Sequence, residues 1–135
     1  MNDLRIVTAG IVIRDGRVLV AKRHHRSHGG SLWEFPGGKM ESDEDPKACL
    51  KRELLEELDI GVEVGEILEV VYHRYERYPI LLLGYLCELK EGIPKALGCQ
   101  EYRWVEKHEL KGLPMPEADK PIRNKLLRSH RIPGQ

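Results

Sequence analysis

One phenylalanine, two tryptophans and three cysteines leave little material for extended aromatic platforms, disulfide frameworks or thiolate metal sites. Cys49, Cys87 and Cys99 show no C-x-x-C spacing, so reduced thiols in a cytosol are expected, each a small core or surface residue. No stretch approaches the roughly 20 apolar residues that a membrane span needs, and the most apolar segment, Ile80 to Leu86, has the length of a strand. Met1 to Arg5 is charged and lacks the apolar run of a signal peptide. Charge of either sign is not in excess: 22 Lys plus Arg balance 22 Asp plus Glu. No whole-molecule field therefore favours nucleic acid or membrane, and any anion recognition must be local. Repeats, low-complexity tracts and linkers are also missing. A cytoplasmic protein, monomer or homodimer, without a membrane or a stable nucleic-acid complex as partner, is expected.

What is present suits one α/β domain spanning residues 1–135, with 41% hydrophobic residues to fill its core. Ile6 to Ile13 is rich in β-branched residues and ends at the turn signal Arg14-Asp15-Gly16-Arg17; Val18 to Ala21 resumes the apolar run, which predicts a hairpin. Arg26 to Ser31 reads as a loop, and Leu32 to Phe35 as a short extended piece closed by Pro36-Gly37-Gly38. Asp45-Pro46 opens a helix, with Asp45 capping free N–H groups and Pro46 at the first helical position. Leu50, Leu54 and Leu58, joined by Leu55, give it an apolar stripe, and it should end near Leu58 or Asp59. Val62 to Tyr72, Ile80 to Leu89 and Tyr102 to Val105 read as strands. A helical turn near Lys107 to Leu110 and a helix over Ala118 to Arg128 follow, and Arg131 to Gln135 should fray.

Glu53, Glu56 and Glu57 stand at i, i+3 and i+4 and so share one helix face. Two carboxylates about 5 Å apart repel by on the order of 3 kcal/mol at an effective dielectric near 20. Lys51, Arg52 and water offset that on a plain solvated acidic face; a hard divalent cation with phosphate ligands would offset it in a metal site. The segment upstream separates these readings. Gly38, Glu44, Arg52, Glu53, Leu54, Glu56, Glu57 and Ile60 resemble the Nudix box, a pattern of glycine, five residues, glutamate, seven residues, Arg-Glu, an aliphatic residue, any residue, Glu-Glu, any residue, glycine and an aliphatic residue. The departure is Asp59 in place of the glycine that ends the helix. Aspartate tolerates the left-handed region better than most residues, so activity is expected to survive it.

Leu32 to Lys39, L-W-E-F-P-G-G-K, is similar to the MutT-type branch of that family. The resemblance implies an α/β/α sandwich with a mixed β-sheet. It also implies Mg²⁺-dependent hydrolysis of a nucleoside triphosphate to the monophosphate and pyrophosphate, with Mn²⁺ as an alternative metal. The Gly38 carbonyl, Glu53, Glu56 and Glu57 would be the metal ligands, with Glu53 or Glu57 orienting the attacking water. Arg52 would hold a carboxylate in place, and Glu44 would support the loop. MutT-type members take a further carboxylate from a later loop; that position falls on Gly98, and nearby Glu101 is the substitute candidate.

For the substrate, Arg23 matches a phosphate-contacting position, and Lys39 beside the glycines is a second phosphate candidate. His24 and His25 adjoin Arg23 but alternate in direction, which argues against a shared metal site. Phe35 and Trp33 are candidates to stack on a base, with a core position as the alternative for one of them. Asp119 falls where MutT-type enzymes carry an asparagine that reads oxidised guanine; otherwise it caps the last helix. An ionised Asp119 only accepts hydrogen bonds, which suits cytosine N4 or the N1 and N2 donors of guanine. The implied activity is removal of oxidised dNTPs such as 8-oxo-dGTP. CTP or modified-dCTP hydrolysis is the alternative, and a non-catalytic nucleotide-sensing module is the alternative from another class.

Overall fold

The computed structural model describes residues 3–24 and 31–134. Strands β1 (Arg5–Arg14) and β2 (Arg17–Lys22) form a hairpin over Asp15 and Gly16. Both turn residues have positive φ, 52° and 77°, the condition for a turn whose twist matches the flanking strands. β1 also runs parallel to β6 (Pro79–Glu91), from Arg5 opposite Ile80 to Val12 opposite Cys87. β6 pairs antiparallel with β5 (Gly61–Arg74), so the sheet is mixed. Along its other edge the first half of β1 takes β4 (Gly37–Lys39), while β2 carries β3 (Trp33–Glu34) and β7 (Glu101–Val105) on its two sides. The predicted loop over residues 26–31 and His25 fall outside the described residues except for Ser31.

Helix α1 (Pro46–Leu58) covers one face of the sheet, and α3 (Lys120–Arg128) covers the other behind the short α2 (Lys107–Gly112) and a 3₁₀ turn at Glu117–Asp119. Both helices approach the strands closely because glycine stands beneath them. A Cβ on Gly10 would come within 3.2 Å of Leu54, and one on Gly84 within 2.8 Å of Ile122. Leu50, Leu54 and Leu58 are fully buried, each contributing roughly 1.5–3 kcal/mol of transfer free energy. This is the α/β/α sandwich with a mixed sheet that the sequence implied, and no helix among the described residues is long and apolar enough to cross a membrane.

The ends of α1 follow from its sequence. The Asp45 carboxylate accepts from the Lys47 and Ala48 amides at 2.9 and 3.1 Å, and Pro46 takes the first helical position. Asp59 adopts φ 58° and ψ 39°, the left-handed conformation a glycine usually supplies. Three expectations need correction. Leu55 is 55% exposed and lies outside the buried stripe, since it falls one position away from the Leu50–Leu54–Leu58 row. Gly37–Lys39 is a strand, because Thr8 and its neighbours in β1 offer an open edge to it. Arg131 to Gly134 does not fray: Ile132 is fully buried in the core with Ile122 and Leu126, and Ser129 Oγ closes α3 on the Leu126 carbonyl at 2.7 Å. A single apolar residue holds that tail.

Candidate active site

α1 delivers the Glu53 carboxylate directly onto β4. A Cβ on Gly38 would overlap that carboxylate, 2.6 Å from its Oε2, so only glycine leaves room for it. The Gly38 carbonyl lies beside it and accepts from Thr8 Oγ1 at 3.2 Å, with the buried Cys49 thiol at 3.7 Å. Burial raises the Glu53 pKa against the opposing pull of Arg52.

Arg52 organises the acidic group. Its Nε and Nη2 form a fork on Glu44 at 2.6 and 3.0 Å, while Nη1 reaches Glu53 at 3.0 Å and Glu56 at 3.2 Å. The paired guanidinium, with the Glu41 amide donating at 3.1 Å, holds Glu44 down to about 2. Glu44 is therefore an anchor for Arg52. Glu56 is more exposed than Glu53 and faces the same guanidinium.

Glu57 has no such partner. Its Oε1 is buried and makes no hydrogen bond, and burial together with the charges of Glu34 and Glu53 pushes its pKa up to about 8. A buried, unpaired carboxylate oxygen is costly and asks for a cation or a proton. The residues that would hold a metal all offer oxygen: the Gly38 carbonyl, Glu53, Glu56 and Glu57. That is the donor set hard divalent cations prefer. The orphaned Glu57 oxygen and the Glu53 carboxylate that glycine admits at position 38 fit such an ion.

Glu101 is not drawn into this group. It is exposed at the start of β7, its carboxylate lies 3.7 Å from Arg103, and the charges that act on Glu57 are Glu34, Glu53 and Arg23. Gly98, at the expected position, instead packs on the Glu57 backbone and donates to its carbonyl at 3.0 Å. A second acidic set, Glu106, His108 and Glu109, lies at α2, away from α1; there Glu109 accepts from the Glu106 amide at 2.9 Å as a helix cap.

A cavity of about 1670 Å³ opens between the sheet and the 3₁₀ turn, reaching from Gly38 and Lys39 to Asp119 and Arg123. Arg23 lines it and pairs with Glu34 at 2.8 Å. Lys39 lies exposed at the end of β4, opposite Val7. Asp119 is buried at the cavity wall, and its Oδ2 accepts from the Phe35 amide at 3.1 Å. It makes no side-chain cap on α3. Burial and the neighbouring Glu34 raise its pKa to about 7. Phe35 reaches the cavity, but the residue is 3% exposed and packs within the core, with its amide engaged by Asp119. Trp33 is likewise buried, with the Arg103 guanidinium 4.6 Å from its ring centre.

Three contributors escape sequence reasoning. Glu34 stands electrostatically between Glu57 and Asp119, Thr8 orients the Gly38 carbonyl, and Tyr75 fixes the 3₁₀ turn by accepting from the Ala118 amide at 3.0 Å. Each depends on contacts across the sheet, and only the placement of Glu34 inside L-W-E-F-P-G-G-K hinted at a role.

Known proteins resemble the chain in sequence and fold. The chain is 36% identical over 116 residues to the CTP pyrophosphohydrolase of Escherichia coli K12, covering 86% of each chain. It is 34% identical over 122 residues to the 8-oxo-dGTP diphosphatase of Haemophilus influenzae, covering 90% of each. Among solved structures, the E. coli ORF135 protein superposes with a TM-score of 0.80 at 33% identity, over 93% of this chain and 90% of that one. The MutT NUDIX hydrolase of Burkholderia pseudomallei gives 0.82 at 26% identity, over 93% and 99%. The family profile described as NUDIX domain matches residues 8–125, the stretch that holds the carboxylate helix, the Gly38 strand and Asp119, and the chain belongs to the Nudix hydrolase family.

Proposed function

We propose that this domain is a nucleoside triphosphate pyrophosphohydrolase that releases the monophosphate and pyrophosphate, with Mg²⁺ as its metal and Mn²⁺ as a substitute. The observation that carries the reading is the buried, unpaired Glu57 Oε1 beside the Glu53–Gly38 cradle. Nudix hydrolases generally use a divalent metal, and here the Gly38 carbonyl, Glu53, Glu56 and Glu57 would hold it. When bound, such an ion supplies neutralisation of phosphate charge and a more acidic attacking water.

The protein's own groups do the rest. Arg52 fixes Glu53 and Glu56 in one orientation and is itself fixed by Glu44, so the carboxylates need no reorganisation when substrate arrives. Glu57, whose buried Oε1 has no hydrogen-bond partner among the described residues, is the candidate to take the proton from water. Lys39 and Arg23 face the cavity as cations for the phosphates, and Asp119 offers the acceptor for the base. Glu101 stays outside the assignment.

For the substrate, sanitising of oxidised dNTPs such as 8-oxo-dGTP is the first reading, supported by relatives named for that activity. Hydrolysis of CTP or a modified dCTP is the second, favoured by the buried acceptor Asp119 and by the similarity to a CTP pyrophosphohydrolase. A small-molecule nucleotide partner and a cytoplasmic setting go with either reading, as does a monomer or homodimer. A panel of normal and oxidised nucleotides with Mg²⁺, ranked by kcat/KM and assayed for pyrophosphate against phosphate, tests the proposal. Absence of turnover on every nucleotide would end it.

A further inference from the structure

Arg5 lies over the Tyr78 ring, with its guanidinium carbon 3.8 Å from the ring centre. Both residues line the cavity wall that continues to Asp119. The cation–π contact uses no N–H donor, and among the described residues no carboxylate pairs with Arg5. Three other cavity donors are engaged. Arg23 is on Glu34, the Phe35 amide is on Asp119, and Lys120 is on Glu117. Arg5 also stands apart from Asp119. It is four residues from Ala9 along β1, about 13 Å at strand rise, and Ala9 pairs with Gly37, two residues from Phe35. Arg5 and Asp119 both line the one cavity, at separate places on its wall.

We propose that Arg5, oriented by Tyr78, is a specificity-determining donor of the nucleotide site and reads the acceptor pair next to the base donor that Asp119 takes, so that the pocket favours cytosine and guanine over adenine and uracil. The chemistry lies in the base edges. A planar guanidinium donates two parallel hydrogen bonds to two adjacent acceptors. Cytosine presents N3 and O2 side by side, next to the N4 donor; guanine presents O6 and N7, next to the N1 donor. Adenine has no adjacent acceptor pair, and in uracil the N3–H separates O2 from O4. An acceptor at Asp119 and a two-pronged donor at Arg5 therefore match the two bases that carry a donor flanked by paired acceptors. Oxidation of guanine at C8 places a proton on N7, which removes one of the two acceptors, so the Arg5 contact suits the second substrate reading, CTP, and weighs against 8-oxo-dGTP.

This rests on the nucleotide reading of the site, and the test separates the two. Wild type, Arg5→Ala, Tyr78→Phe and Tyr78→Leu are compared on CTP, GTP, ATP and UTP by kcat/KM, and on CMP and AMP by metal-free binding. The expected result is that the wild-type preference for C and G over A and U, on the order of ten- to a hundredfold for a bidentate contact, collapses in Arg5→Ala. The loss should appear mainly in KM and in CMP affinity. Tyr78→Phe keeps the ring face and should keep the preference, whereas Tyr78→Leu should follow Arg5→Ala. An equal loss on all four nucleotides would make Arg5 a phosphate or packing residue and overturn the proposal, as would an unchanged ratio. Turnover by wild type on none of the four would instead refute the nucleotide reading beneath it. Thermal melting of each variant identifies a folding defect, and the substrate ratio within one variant is insensitive to the fraction folded.

Discussion

Replacing Glu57 by glutamine separates what this residue does for catalysis from what it does to stability. Burial and two neighbouring carboxylates carry its pKa from 4.5 to about 8. A carboxyl whose pKa is raised on folding contributes its stability below the unfolded value, and that stability is lost as pH rises through the folded one. The ionised carboxylate should therefore destabilise the metal-free protein increasingly between about pH 4.5 and 8. At about 1.36 kcal/mol per pKa unit the full difference is about 5 kcal/mol. Glu57 keeps some solvent contact, so about 2 kcal/mol is expected once solvent relaxation is counted. Glutamine fills the same space without the charge. Glu57→Gln should thus melt about 6–10 °C higher than wild type at pH 8.5 in EDTA, a conversion suited to a chain of this length. The gap should close at pH 5, where both side chains are neutral. Millimolar Mg²⁺ should raise the wild-type Tm and leave the variant nearly unmoved, while pyrophosphate release by the variant disappears. A variant that melts at or below wild type at pH 8.5 without metal would refute the claim that this carboxylate is uncompensated.

Gly38→Ala drives a methyl group into the Glu53 carboxylate. It should reduce kcat/KM by at least a hundredfold and weaken Mn²⁺ binding measured by EPR, with circular dichroism unchanged; near-normal metal affinity would contradict the cradle. Asp119 titrates near 7, so the wild-type ratio of kcat/KM for CTP against ATP should change between pH 6 and 8 as the side chain turns from donor to acceptor. Asp119→Asn should flatten that pH dependence. A ratio that moves with pH equally in both proteins would place the titration elsewhere.

How much could be read in advance differs between the helix and the pocket. The helix from Asp45 to Asp59 was legible because its caps and its row of carboxylates follow local spacing, and resemblance to the Nudix box tied it to Gly38, whose place in a strand was not expected. Asp45, Pro46 and Leu50 act through local geometry, and so does Asp59, whose short polar side chain accepts the left-handed turn. The pocket was less legible. Phe35 could face either a base or the core, and the choice depended on β3, α3 and the 3₁₀ turn meeting around it. Asp119 looked equally like a helix cap, and only the fold brings the Phe35 amide to its Oδ2. Glu34 gains its role by lying between two other carboxylates from distant segments, and Ile132 is buried by elements well before it in the chain. Such contacts are long-range, and no local pattern encodes them.

The most direct test of the central claim is ³¹P NMR of the products formed from a nucleoside triphosphate with and without Mg²⁺, using wild type and Glu57→Gln side by side. The account predicts nucleoside monophosphate and pyrophosphate from wild type only when Mg²⁺ is present, and unchanged substrate from the variant. Orthophosphate with nucleoside diphosphate as the products, or turnover by Glu57→Gln near the wild-type rate, would contradict it.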